Sequence, residues 1–321
     1  MRNKLLIPVL IAFACSTLTF SSCTVRGWGR GEKQVHLAGG ETGVRFFVIG
    51  DWGEKGTAGQ QAVANAMEQR ASLMPPHFIV SSGDNFYDAG VSGISDPQWQ
   101  STFENIYKLN GVSWFPVLGN HDYILDPQAQ VDYSQISGRW KMEERYYSKK
   151  FQVGNDSLLI LFIDTEPIER ELRGIVPDGV KIASEFTTRQ RSWMINELSA
   201  SRAKWKMVVG HHPVNTGGAR RHSSRTRKMR AYLHDIFEKY KVDIYWSGHE
   251  HQLEYIVPRG YTRYVISGAG SHTSHLGYLK AGRRFAARQT GFVECKVTSD
   301  TVELNFINNN KQILYTDHIR K

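Results

Sequence analysis

The chain has 321 residues, with 40 Lys and Arg against 31 Asp and Glu, for a formal net charge of +9. That balance favours anionic ligands and says nothing about fold. Of its three cysteines, Cys15 lies in an N-terminal leader and Cys23 at that leader's end, so Cys295 alone remains and an internal disulfide is excluded from the mature domain.

Residues 1–22 read as a secretory leader. Arg2 and Lys4 make a charged n-region, "LLIPVLIAFAC" a short apolar h-region and "TFSSC" a small-residue cleavage site. The apolar run is too short to span a bilayer. Cys23 at the cleavage point predicts a lipidated N-terminus; ordinary secretion is the alternative. The protein is therefore expected to be exported, to the periplasm or cell surface, and to touch a membrane only through lipid on Cys23. Cleavage would leave 299 residues and, by removing Arg2 and Lys4, lower the charge from +9 to +7. Residues 23–42 read as a tether rich in glycine and charge, and residues 43–321 as one α/β domain.

One local pattern recurs along that domain. The apolar run "VRFFVIG" precedes Asp51, and Val63, Met67, Ala71 and Met74 then recur at helical spacing. "HFIVSSG" precedes Asp84. Asp96 offers an N-cap with Pro97 at the first helical position. "WFPVLG" precedes Asn120 and His121, and Thr187 with Gln190 form a capping box ahead of Met194, Ile195 and Leu198. "KMVVG" precedes His211 and His212, an apolar helix face runs from Met229 to Tyr240, and "DIYWSG" precedes His249 and His251. Thereafter "LEYIV", "TRYVISG", "GFVECKV", "TVELNFI" and "QILYT" read as strands, with "NNNK" as a turn and Cys295 buried. The expected fold is a four-layer α-β-β-α sandwich of two mixed sheets between helical layers.

Five short apolar runs ending in glycine and a ligand-type residue point to one rim, because open α/β sheets bind ligands beyond the carboxyl ends of their strands. If the segment after "DIYWSG" stays extended, His249 and His251 face one cavity. A single tetrahedral ion takes about four protein ligands, so the surplus of imidazoles and carboxylates predicts two metals sharing one carboxylate. A lone G-D or G-N-H is an ordinary turn; five together are not.

"DWG" at 51–53, "GDNFY" at 83–87, "GNHD" at 119–122, "VVGH" at 208–211 and "GHEH" at 248–251 resemble, in order, the five signature blocks of the metallo-dependent phosphatases. Tyr87 narrows the resemblance to purple acid phosphatases, and "SGAGSH" fits their small tartrate-resistant type. The resemblance implies a dinuclear centre in which Asp51, Tyr87 and His251 hold Fe(III). Asn120, His211 and His249 hold Fe(II) or Zn(II), and Asp84 bridges; manganese is an alternative metal. It implies an acid phosphatase that attacks phosphomonoesters with metal-bound hydroxide. His121 contacts phosphate, together with Asn120, and protonates the leaving oxygen. His222 is the candidate for a second outer histidine, and His212 either touches substrate or packs against the rim.

Residues 166–186 fall where the family carries a regulatory loop, and here either gate the site or form a solvated connection. "GGARRHSSRTRKMR", 217–230, is a solvated helix face or an attractor of phosphorylated substrates. Expected partners are small-molecule or peptide phosphate esters, without specific nucleic acid, acting on a monomer. Phosphodiesterase or nucleotidase chemistry, or a non-catalytic phosphate-binding surface protein, are the competing readings.

Overall fold

A computed structural model describes residues 30–35, 43–174, 180–277 and 281–321, with the backbone alone for 30–35 and 180–184. The leader, with the expected lipidation at Cys23, lies outside these residues. Two mixed sheets form the centre. The smaller runs in the order β14 (Ile313–Arg320), β13 (Thr301–Asn308), β12 (Gly291–Thr298), β2 (Gly43–Ile49), β3 (Phe78–Ser81), β4 (Ser113–Pro116). The larger runs β1 (Arg30–Val35), β5 (Tyr147–Val153), β6 (Asp156–Phe162), β7 (Trp205–Val209), β8 (Ile244–Ser247), β10 (Arg263–Ser267), β9 (Leu253–Ile256), β11 (Arg283–Ala287). β2, β3 and β4 are parallel, as are β6, β7, β8 and β10.

The sheets are central because their strands are apolar on both faces. Along β6, Leu158, Ile160 and Phe162 point into the core between the sheets, whereas Leu159 and Leu161 point outward beneath the helices. β7 and β8 repeat the division, with Met207, Val209, Ile244 and Trp246 inward and Val208 and Tyr245 outward. The outward set is covered by α3 (Thr165–Arg173), α4 (Val180–Ala200) and α5 (Ser224–Tyr240), through Ile168, Met194, Leu198, Met229, Leu233 and Phe237. On the other side α1 (Ala58–Leu73) buries Val63, Ala66 and Met67. It is clasped to β12 by Arg70, whose Nε and Nη2 donate to Glu294 at 2.8 and 2.7 Å. Trp52, Trp99, Trp114 and Trp140 pack with Phe86 and Phe103 as an aromatic base beside the short α2 (Gln128–Tyr133). Cys295 is fully buried on β12, as expected.

Four local expectations change. Part of the tether, Arg30–Val35, is the edge strand β1 and pairs in parallel with β5; backbone pairing at an edge needs no apolar side chain of its own. Asp96 does cap, accepting from Gln98 N at 2.9 Å, but the turn it opens is a six-residue π-helix, Trp99–Glu104. Thr187 is not a helix start, since α4 begins at Val180. Thr187 Oγ1 donates instead to Glu171, and Gln190 exchanges hydrogen bonds with the Asp164 backbone at 2.6 and 2.9 Å. The β5–β6 hairpin was not anticipated from its sequence.

Candidate metal centre

The parallel strands of both sheets end at one rim. Asp51 follows β2, Asp84 follows β3 and Asn120 follows β4; His211 follows β7, and His249 and His251 follow β8. Cross-sheet bonds lock the loops together: His249 N donates to Asp51 Oδ2 at 2.9 Å, and His211 Nδ1–H donates to the Ser82 carbonyl at 2.9 Å. Asp51, Asp84 and His249 sit at φ of 56, 51 and 68°, a region that costs a non-glycine residue energy and is held here by that network. The glycines permit close approach. A Cβ on Gly119 would lie 2.1 Å from Asp84 Oδ1, and one on Gly248 2.2 Å from Asp51 Oδ2.

His249 and His251 do share a side, though not by strand alternation. Glu250 N bonds Gly248 O at 2.8 Å and Gln252 N bonds Glu250 O at 2.7 Å, so the segment is a pair of tight turns. Glu250 points the other way and accepts from Arg220 N at 2.7 Å.

Two nests result. In the first, Tyr87 Oη lies 3.2 Å from Asp51 Oδ1, 3.0 Å from Asp84 Oδ2 and 3.3 Å from His251 Nε2. In the second, His211 Nε2 lies 3.2 Å from Asn120 Oδ1, 3.2 Å from His249 Nδ1 and 3.5 Å from Asp84 Oδ2. Asp84 Oδ2 belongs to both. His211 donates from Nδ1, so its Nε2 is the atom that faces two oxygens and another imidazole nitrogen. Burial opposes charge on the ring, but the Asp84 and Asp51 charges push its pKa up, and a metal ion would take the place of the Nε2 proton. Lone pairs gathered this way call for a cation. Neighbouring ligands of an ion with bonds of about 2.0–2.2 Å stand roughly 3.0–3.4 Å apart, the spacing seen throughout the first nest and for Asn120 and His249 in the second, with Asp84 slightly beyond it. The donor set fits two metal ions.

Electrostatics agree. Burial, then the charges of Asp51 and Asp84, push the Tyr87 phenol well above its ordinary pKa, so it ionises only against a cation. Burial works to raise Asp51, but the His251 hydrogen bond, the His211 and His251 charges and the His249 amide outweigh it and hold the carboxyl low. Burial, with His212, His211 and Arg220, pushes His249 well below the usual imidazole range and keeps it a neutral donor.

The outer residues divide. His121 lies at the rim: its backbone N donates to Asp84 Oδ1 at 2.9 Å and its Nδ1–H to the Asp88 carbonyl at 2.6 Å, with its ring 4.5 Å from that of Tyr87. His212 is buried behind His249, ring centroids 4.6 Å apart, with Nδ1 at 2.9 Å from Thr165 Oγ1 and Nε2 at 3.4 Å from Glu166 Oε2. These contacts match the packing alternative. His222 is corrected more fully. It is exposed, its Nε2 accepts from Arg221 Nε at 2.9 Å, and among the described residues it touches nothing in the cluster. Its position, one residue before the N-cap Ser223 of α5, turns it to solvent. Residues 166–173 are all of α3 but its first residue, Gly174 is its C-cap and 180–186 open α4; 175–179 lie outside the described residues.

Two groups went unassigned in the sequence. Asp122, the last residue of "GNHD", is fully buried and accepts from Asn85 N, Phe86 N, Gly119 N and Gln130 Nε2 at 2.8–3.1 Å, tying the Asp84 loop to the Asn120 loop. Burial and the Asp84 charge push it up to about 7. His272, from "SGAGSH", stacks edge-on to His251 at 4.0 Å with Nδ1 2.5 Å from Glu54 Oε1.

Comparison with known proteins agrees with this geometry. The calcineurin-like phosphoesterase family model matches residues 44–253. Purple acid phosphatase 7 of Arabidopsis thaliana is 34% identical over 239 residues, 70% of each chain. Human tartrate-resistant acid phosphatase type 5 is 31% identical over 297 residues, covering 84% of this chain and 89% of that one. Among solved structures, GAP50, the anchor in the inner membrane complex of Plasmodium, superposes with a TM-score of 0.77 at 26% identity, covering 87% and 89% of the two chains.

Proposed function

This chain belongs to the calcineurin-like phosphoesterases, in their purple acid phosphatase branch, and is a metal-dependent acid phosphatase; from that premise we propose that it is an exported phosphomonoesterase whose two ions are held by the assigned nests. Asp51, Tyr87 and His251 would hold Fe(III), Asn120, His211 and His249 would hold Fe(II) or Zn(II), and Asp84 would serve both. When bound, the ions supply positive charge against the phosphoryl oxygens and acidify water. The observation that carries the reading is the position of Asp84 Oδ2, 3.0 Å from Tyr87 Oη and 3.5 Å from His211 Nε2.

The chain's own groups do the rest. Asp51, Asp84 and their backbone donors keep the cluster rigid and dry, which lets fixed charge act without reorganisation. Asn120 and His121 face the rim where a phosphoryl group would sit. With Nδ1–H committed to the Asp88 carbonyl, the transferable proton of the imidazolium resides on Nε2. As a water oxygen bonds to phosphorus and the ester P–O bond breaks, the leaving alkoxide takes that Nε2 proton, while the proton shed by the water passes to solvent, which recharges His121 for the next turnover. No serine or cysteine nucleophile is required.

The test is a comparison of rates on an aryl phosphate, a nucleoside monophosphate and a bis-aryl phosphate. The aryl monoester should be turned over fastest. Preference for the bis-aryl ester would favour phosphodiesterase chemistry, and zero turnover by iron-loaded protein would favour a non-catalytic role, for which the anchor GAP50 supplies a structural relative.

A further inference from the structure

We propose that the cleft beside His249 is a subsite for a second anionic group on the leaving-group side of the phosphomonoester, with Arg225 as the residue that recognises it. The inference rests on the phosphomonoesterase reading and names a substrate class for that site: esters whose alcohol also carries a carboxylate or phosphate.

The cleft, shallow and open to solvent, is lined by His249, His212, Glu169, Thr226, Arg220 and Arg225, among others. Its His249 wall is shared with the metal centre, since His249 Nδ1 stands 3.2 Å from His211 Nε2. The cleft and the second nest therefore share the His249 ring. Arg220 is fixed to the same turn, donating from Nη1 to His249 O at 3.0 Å and lying 3.4 Å from Glu250 Oε2.

Charge pairing singles out Arg225. Glu250 answers Arg220, and Glu169 answers Arg173 through a 2.5 Å contact from Nε. Arg225 shares Glu169 with Arg173, its Nε standing 3.5 Å from Glu169 Oε1; its side chain is 51% exposed, and its terminal nitrogens donate no hydrogen bond among the described residues. A guanidinium whose planar fork is unanswered beside a catalytic cluster is suited to a carboxylate or phosphate, which it grips with two parallel donors. Arg227 and Lys228 belong to the same basic run but do not line the cleft.

The experiment uses the metal-loaded mature protein with phenyl phosphate, 3-carboxyphenyl phosphate and 1,3-phenylene bisphosphate. Wild type should prefer the two doubly anionic esters by about tenfold in kcat/KM, expressed in KM, the scale of one partly exposed charge-assisted contact. Arg225→Gln should bring the ratio near one, Arg225→Lys should keep part of it, and Arg227→Gln should keep all of it. Calorimetric Kd values for phenylphosphonate and 3-carboxyphenylphosphonate should show the same pattern without turnover. The larger of the two preferences identifies carboxylate or phosphate as the group selected. No preference in wild type, or one that Arg225→Gln leaves intact, overturns the inference alone. Failure to turn over any ester overturns the phosphatase reading and the inference with it.

Discussion

The two nests share Asp84 but differ in chemistry. Around Tyr87 Oη stand a carboxylate, a phenol and one imidazole; around His211 Nε2 stand a carboxamide and a second imidazole, with the shared carboxylate farther away at 3.5 Å. Hard, anionic oxygens gather on one side and neutral donors on the other. An ion of higher charge is best compensated by the first and a divalent ion by the second. One rim built from two sheets would thus distinguish two cations, the first nest drawing mainly on loops of the six-stranded sheet and the second mainly on those of the eight-stranded sheet.

Removing the shared group should break the comparison outright. Asp84→Ala should lower metal content from two ions to at most one and activity by roughly a thousandfold or more, since it strips charge from both sides; atomic absorption and aryl phosphate kinetics read both. His249→Ala should act on one side only, losing the divalent ion and about a hundredfold in rate while any visible band from Tyr87 persists. Disappearance of the band in that variant would show that the nests are not separable. Tyr87→Phe should do the reverse, abolishing visible absorption by iron-loaded protein with a rate loss of about tenfold, because two carboxylates remain. Asp122→Asn should sharpen the picture least. It turns one accepting oxygen into an NH₂ facing backbone donors, which costs about 1–3 kcal/mol of stability, seen as a lower Tm, with both ions still bound.

That the candidate ligands gather at one rim was readable because, Tyr87 apart, they follow short apolar runs ending in glycine, and strand ends in such sheets converge wherever the loops go; Tyr87 entered only through the family resemblance. The glycines mattered for a specific reason: Gly119 and Gly248 leave room for the carboxylates of Asp84 and Asp51, which lie far off in sequence. Less was readable where a side chain's direction depends on a turn. His222 follows two arginines in a basic run and looked available, but the N-cap of α5 sends it outward. His212, next to a ligand, turns behind the cluster because Thr165 and Glu166 of α3 receive it. Asp122 was overlooked since its role is to accept backbone hydrogens from three loop positions, which no spacing rule reveals. Thr187 and Gln190 carried a genuine capping pattern that longer-range bonds to Glu171 and Asp164 overrode. β1 lacked the apolar alternation by which strands are found.

Anomalous diffraction from crystals of the metal-loaded protein, collected at the iron edge and again above the zinc edge, would locate every bound ion relative to Asp84. Two peaks on either side of its carboxylate are expected, with the iron-edge signal always present on the Tyr87 side. A lone peak, or a pair that Asp84 does not separate, would contradict a shared-carboxylate centre.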